Sequence, residues 1–421
     1  MGERPRNWRR WVRRGAVVAA LGLVVLVLAR NTLIDWISGN SEHRGVHQPE
    51  EGLSTEARAL VDRCLADLDP ELLIDHHAHL AGTGEGSDCW VNPRMRSPRH
   101  FRDWLRFQTY RSAAGMEEGE PDQAFVDNLA GLLRAEPRPP RALLLAFDYR
   151  YGLDGVPIEE RSEFYVPNDY VLGVRDADPE VFLAAASIHP YRADAIEELE
   201  RVHAAGVRVL KWLPSAQGID LAHERCAPFY EACARLEVAL LIHAGAEQAV
   251  HAEEDQALGN PLLLRHPLGA GVRVIAAHCA SLGEDEDLDD PGRPLVSSFQ
   301  LLVRLLEEPE WEGLLYGEIS TVTQRNRFPL MLAELLQRQD LHPRLINGSD
   351  WPLPGVNLLY STRALQKAGF LTEEERGHLN EIYQWNPLLF DLCLKRTVRA
   401  PETGERFLTG VFQAQFAVDG R

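Results

Sequence analysis

Cysteine is scarce and unpatterned in this chain of 421 residues. The six cysteines (Cys64, Cys89, Cys226, Cys233, Cys279 and Cys393) include no CxxC pair, and their spacing gives no dense disulfide framework. Cys226 and Cys233 stand seven apart on an expected helix, too far for an easy bridge along one face, and read as packing residues. Positive charge is short too: 44 Lys and Arg face 63 Asp and Glu, a formal net charge of −19. Six of the arginines (Arg4, Arg6, Arg9, Arg10, Arg13 and Arg14) crowd the N-terminus, so the remainder is more acidic still. Such a body repels phosphate backbones, which argues against nucleic acid and for small-molecule partners. Low-complexity tracts are absent, and so is any internal repeat beyond the alternation of elements described below.

Long apolar runs are also rare. One, GAVVAALGLVVLVLA at 15–29, carries no charge. Extended through NTLIDWI it reaches the ~20 residues a bilayer needs, and the arginines before it would stay cytoplasmic. The expected organisation is a basic flank (1–14), a transmembrane signal-anchor helix (15–37), a linker (38–53), a catalytic domain (54–396) and a C-terminal extension (397–421). The membrane is then a partner through that helix, and the body faces the periplasm or cell exterior. A cleaved signal peptide ending near Val27-Leu28-Ala29 is the alternative, and a twin-arginine signal the weakest reading.

From residue 71 the chain alternates. Eight short apolar runs (ELLIDHHAH, RALLLAFDYR, VFLAAASIHP, VRVLKWLP, VALLIHAG, VRVIAAHC, GLLYGEIS and PRLINGSDWP) are each followed by a helical pattern. Continuous apolar strands alternating with helices predict an α/β fold with a parallel sheet, and eight units predict a (β/α)8 barrel. The stretch 81–140 is an insertion after the first strand with two helical patches, near 98–111 and 121–134, expected to form a lid or a pocket wall. The acidic loop GEDEDLDDPG at 283–292 reads as a solvated loop; it lacks the ordered oxygen spacing of calcium loops.

The runs close on ionisable residues: His77 and His79, then Asp148, His189, Lys211, His243, His278, Glu318 and Asp350. In a parallel barrel every strand C-terminus opens on one face, where active sites assemble. His77 and His79, two apart, point to the same side of a strand, while His76 points toward the helices. With His243 and Asp350 they make a three-histidine, one-carboxylate set that suits zinc with room for a water. Cys279 is expected to face away as a core residue. His189 is a weaker site candidate, and His203, His223, His251, His266 and His342 read as structural.

Four motifs in order, HAH at 77–79, IHAG at 242–245, AHCA at 277–280 and NGSDWP at 347–352, resemble the amidohydrolase superfamily, in particular its amidohydrolase-2 group of metal-dependent TIM-barrel enzymes. The resemblance covers about residues 71–396, and Asn386-Pro387 matches the family's last helix start. It implies that His77, His79, His243 and Asp350 hold the metal, with Asp350 also moving the proton. His278 would meet substrate and water or bind a second metal. Lys211 would meet the substrate or, if carboxylated, bridge two ions. One zinc ion is the favoured count. Trp212, Glu318, Arg325 and Arg327 are candidate substrate contacts. The implied reaction is hydrolysis of an amide, lactone or ester. Decarboxylation or hydration within the same group, and a barrel that binds without turnover, are the alternatives. The oligomeric state is left open.

Overall fold

The computed structural model describes residues 52–116, 119–252 and 254–413. Eight strands follow one another: β1 (Ile74–His79), β2 (Arg141–Leu145), β3 (Phe182–Ala185), β4 (Val209–Trp212), β5 (Ala239–His243), β6 (Val274–Ala277), β7 (Leu315–Glu318) and β8 (Leu345–Ile346). Each pairs in parallel with its sequence neighbour, in runs β1–β2–β3 and β4–β5–β6–β7–β8. Two bridges join the runs. Ala186 pairs with Leu210, and Ala78 pairs with Trp351 beyond β8. The ring therefore closes as a TIM barrel.

Two apolar layers follow from the two-residue period of the strands. Ile74, Leu143, Leu145, Leu183, Val209, Leu241 and Ile275, with their inward neighbours, form a lumen cluster. The alternate residues, such as Leu144, Leu210, Leu240 and Ala276, belong to the larger cluster shared with the helices. Around the ring lie α1 (Thr55–Leu65), α2 (Phe101–Ala113), α3 (Pro121–Ala135), α4 (Asn168–Ala177), α5 (Ala195–Ala204), α6 (Ala227–Arg235), α7 (Ser298–Glu307), α8 (Leu330–Gln337), α9 (Glu373–Trp385) and α10 (Pro387–Thr397), with shorter turns between. Ser54 caps α1, accepting the Ala57 N–H as its place before the apolar pattern predicts. Asn386 caps α10, accepting from Leu388 and Leu389 while donating to the Leu132 carbonyl.

The insertion after β1 carries α2 and α3, and its Trp90–Val91 pairs antiparallel with Phe164–Tyr165. Asp122 at the start of α3 gathers Thr83, Gly84 and Ser87, which pins the glycine-rich turn beside the barrel mouth. The acidic loop is ion-paired: Asp287 with Arg304, and Asp289 with Arg265. All six cysteines are free and buried.

The membrane-anchored, extracytoplasmic placement needs correction. No helix among the described residues is long and apolar enough to cross a membrane. The longest of them, α3, has 15 residues, short of the ~20 a bilayer demands. The segments 1–14 and 15–37, and the signal-peptide alternatives, lie outside the described residues, as does most of the linker and the end of the C-terminal extension.

Candidate active site

Which residues reach the barrel mouth depends on strand phase, and two strands change phase. In β1, Ile74 faces the lumen, so strict alternation would send His76 inward. A register shift between Asp75 and Ala78 intervenes. A bulge of this kind re-aims the side chains after it. Ala78 consequently joins the outer core, His76 hydrogen-bonds the Asn347 carbonyl through Nδ1 (2.9 Å), and His77 and His79 turn to the mouth. In β6, Ile275 and Ala277 face the lumen, so His278 would face out. The chain instead leaves the strand with left-handed φ at three consecutive non-glycine residues: His278 (57°), Cys279 (48°) and Ala280 (47°). Such strain concentrates at functional sites. It brings His278 to the pocket and sends Cys279 into the outer core. Cys279 thus faces away as expected, but through a kink rather than through alternation.

The centre is tight. His77 Nε2 and His79 Nε2 lie 3.4 and 3.2 Å from Asp350 Oδ1, and the donor atoms of these three residues fall within 4.8 Å of one another. Asp350 itself has φ 60° and donates its N–H to the His77 carbonyl at 2.6 Å. His278 Nε2 stands 3.8 Å from Asp350 Oδ2, and its ring stacks on His77 at 4.9 Å between centroids. Lys211, buried on β4, places Nζ 3.2 Å from His77 Nε2. His243 lies outside the tight group. Its ring is 5.1 Å from that of His278, its Nδ1 is 3.3 Å from Glu247 Oε2, and its Nε2 is buried without a hydrogen-bond partner.

Burial dominates the electrostatics. Desolvation holds His77, His243 and His278 below the usual histidine range, with Lys211 opposing the charge on His77. Neutral imidazoles of this kind can offer lone pairs to a cation. Burial pushes Lys211 down to about 8. It also works to raise Asp350, but His77, His79 and Lys211 overcome it and hold the carboxyl at about 2.

Glu318 fixes the ring protons. Its Oε2 accepts from His77 Nδ1 (2.9 Å), Ser320 Oγ (2.7 Å) and the His278 N–H (3.3 Å). The Ser320 hydroxyl therefore donates to Glu318 and accepts from His278 Nδ1 at 2.6 Å. Both rings are thus protonated on Nδ1 and present bare Nε2 atoms to the centre. Glu318 is fully buried. The expectation that it contacts substrate is corrected: it orients histidines. His77, His278 and Glu318 also lie close enough to suggest a second cation group, but these hydrogen bonds already occupy Glu318 Oε2 and His77 Nδ1.

Two other expected substrate contacts are displaced. Trp212 alternates outward from Lys211, donates Nε1–H to the Ile188 carbonyl (2.8 Å) and packs on Phe229, fully buried. Arg325 is exposed and off the pocket wall, whereas Arg327 lines it. Asp148 turns outward to pair with Arg192 (3.1 Å), and His189 is held by the Gln217 carbonyl. The pocket is a cavity of about 280 Å³ floored by Lys211, His243, His278 and Asp350. Its walls are largely apolar and include Phe107, Tyr110, Met116 and Phe125 from the insertion.

Sequence reasoning missed Glu247 and Gly348. Glu247, four residues after His243, orders its own loop by accepting the Ala249 and Val250 N–H groups. A carboxylate this soon after a histidine at a strand end was a readable signal. Gly348 had no such signal. A Cβ there would meet His77 Cβ at 2.6 Å and Glu318 Oε1 at 2.7 Å. Gly348→Ala is expected to lower stability by about 1–3 kcal/mol through overpacking and to weaken cation uptake. A thermal melt with and without added zinc checks both; an unshifted melt refutes the packing argument.

A closed ring of eight parallel strands, with histidines and an aspartate gathered at its C-terminal mouth, defines a TIM barrel carrying a candidate cation centre. The chain belongs to the amidohydrolase family, whose model matches residues 74–299. Similar solved structures include three proteins. An uncharacterised TIM-barrel protein from Bordetella bronchiseptica is 15% identical, covering 68% of this chain and 88% of that one, with a TM-score of 0.44. A candidate 2-pyrone-4,6-dicarboxylic acid hydrolase from Pseudomonas putida is 18% identical (67% and 83% covered, TM-score 0.40). A 5-carboxyvanillate decarboxylase from Novosphingobium aromaticivorans, with bound manganese, is 11% identical (81% and 96%, TM-score 0.42). No curated protein sequence matches the chain.

Proposed function

We propose that this chain is a metal-dependent hydrolase acting on an amide, lactone or ester of a small, largely apolar molecule that carries an acid group. The observation that supports the reading most is the convergence of His77 Nε2 and His79 Nε2 on Asp350 Oδ1, beside a His243 Nε2 left buried and unpartnered. An unsatisfied buried nitrogen is costly, and a divalent cation would satisfy it. His77, His79, His243 and Asp350 would hold that ion. Imidazoles with one carboxylate suit zinc, and manganese or iron less strongly. A single zinc ion is our preferred count; a second would need Lys211 to be carboxylated. When bound, the cation supplies Lewis acidity toward a carbonyl and toward water.

The other steps belong to the chain. Asp350, ionised throughout the neutral range, turns Oδ2 toward His278; it takes the proton of the attacking water and passes it to the leaving group. His278, with its proton on Nδ1, cannot donate to an oxyanion from Nε2; it accepts from the water and aims it. Lys211 supplies positive charge where the oxyanion develops. Arg327 anchors the substrate's acid group. Its Nη1 donates to Ser281 Oγ (2.7 Å), its Nε is buried without a partner, and no described carboxylate forms an ion pair with it. The apolar walls exclude competing water.

The two cations at the pocket, buried Lys211 and half-buried Arg327, also suit a carboxylate that leaves as carbon dioxide, so a decarboxylase is the second reading. The test is metal analysis and intact-mass measurement of the purified full-length chain, then a screen of lactones, amides, esters and aromatic carboxylates. Near one equivalent of zinc, no added carboxyl mass on Lys211 and hydrolytic turnover are expected. A chain that holds no divalent metal, and is not stabilised by adding one, defeats the proposal. Carbon dioxide release without hydrolysis moves the assignment to the second reading.

A further inference from the structure

A buried lysine outside the barrel lumen touches the chain beside the centre. Lys395, on α10, is completely inaccessible. Its Nζ donates to the Gly348 carbonyl at 2.6 Å, reaches Asn347 Oδ1 at 3.4 Å and pairs with Asp391 at 2.5 Å. Gly348 and Asn347 lie two and three residues before Asp350.

That segment is tied to β1 at its ends, where the Asn347 carbonyl accepts from the His76 N–H (3.2 Å) and Nδ1 (2.9 Å) and the Asp350 N–H donates to the His77 carbonyl (2.6 Å). β8 is regular over two residues only, and the chain then leaves the ladder to reach Asp350. Asp75 grips it from the other side: its Oδ1 accepts both the Ser349 N–H (2.8 Å) and the His77 N–H (3.0 Å). The Ser349 hydroxyl donates to the His77 carbonyl at 3.4 Å. Residues 347–349 are therefore clamped between Asp75 on β1 and Lys395 on α10, and the clamp sets where Asp350 stands relative to His77. Stability alone is a poor reason to keep an ion pair buried this deeply, because well-packed apolar residues of similar volume commonly serve as well or better.

We propose that Lys395 is a positioning residue for the cation centre: by holding the 347–349 backbone against β1 it fixes the spacing between the His77 imidazole and the Asp350 carboxylate. This rests on the reading of those two side chains as cation ligands.

The test uses the full chain and the double variant Lys395→Met/Asp391→Asn, which removes both charges and leaves no orphaned carboxylate. Zinc affinity is measured by chelator competition, ligand geometry by the visible spectrum of the cobalt(II)-loaded protein, and folding by melting of the metal-free form. The double variant is expected to fold and to bind zinc about 10- to 100-fold more weakly, the usual effect of losing an outer-shell partner, with an altered cobalt spectrum. A merely structural lysine would lower the melting temperature and leave the spectrum of the folded protein unchanged. Lys395→Gln keeps an N–H for the Gly348 carbonyl and is the second variant should the double fail to fold; its affinity is expected to fall between the other two. Wild-type affinity and spectrum in whichever variant folds overturn the positioning role alone. A wild-type chain that binds no zinc or cobalt overturns the ligand reading and this inference with it.

Discussion

Asp350→Ala is expected to remove both metal and turnover. The residue stands where two imidazole Nε2 atoms converge at the pocket, 3.4 Å from His77 and 3.2 Å from His79. Alanine leaves His77, His79 and His243 without the carboxylate on which the first two converge, a set with no negative charge to retain an ion against a chelator. The loss should exceed the ten- to hundredfold typical of an outer-shell partner. The same substitution deletes the proposed proton acceptor, and a general base contributes about 10²–10⁴ in rate. The value of kcat/KM should thus fall by at least about 10³-fold, and added zinc should not restore it. The metal-free variant should also respond differently to acid. The folded carboxyl is held at about 2, below its unfolded value near 3.9, so its contribution to stability is complete above that value and is lost as pH falls toward 2. In the variant that part of the acid dependence should vanish. Wild-type metal content in Asp350→Ala would refute the ligand assignment, whatever the activity.

Arg327→Met is expected to separate substrates by charge. Burial lowers the affinity of this guanidinium for its proton, yet arginine stays ionised in proteins. A half-buried cation on the pocket wall without a described carboxylate partner is an incomplete pair that an anionic substrate would complete and cover. Removing one member of a buried charge pair costs about 2–5 kcal/mol, so kcat/KM for carboxylate substrates should fall by roughly 30- to several-thousandfold. A neutral ester or amide of the same shape should lose no more than about threefold, since methionine keeps much of the packing. The effect should appear mainly in KM, because the interaction is as strong before reaction as during it. Equal losses on charged and neutral substrates would place Arg327 in the structure of the pocket rather than in recognition.

The barrel was legible because its signal is redundant. Eight apolar runs, each ended by a polar residue and separated by helical patterns, leave few alternatives, and all eight became strands in the expected order. Lys211, His243, His278 and Asp350 do meet at the mouth with His77 and His79. The phase of the strands was harder to read. The side to which His76, His77 and Cys279 point agrees with expectation, but an unbroken alternation counted from the lumen residues Ile74 and Ile275 would aim His76 inward and His278 outward, and the β1 register shift and the left-handed turn at 278–280 reverse that. Neither carries a glycine or proline to announce it. Glu318 and Trp212 read as substrate contacts from sequence, and their placement away from the pocket has related reasons. A polar residue closing a strand can serve the substrate or the ligands, and spacing does not say which. An aromatic next to an inward lysine faces outward by the same alternation that makes the lysine useful. Arg325 and Arg327 are two apart in an irregular segment, where no period selects between them.

The brevity of β8 has a mechanical consequence. The cylinder has a joint where its last strand meets its first, and at that joint regular pairing gives way to one bridge, a few backbone hydrogen bonds and side-chain ties. His77 and Asp350 sit on opposite lips of the joint. An ion shared between them would act as a rivet as much as a reagent, so loading the chain with metal would toughen the whole ring while preparing the chemistry at its rim.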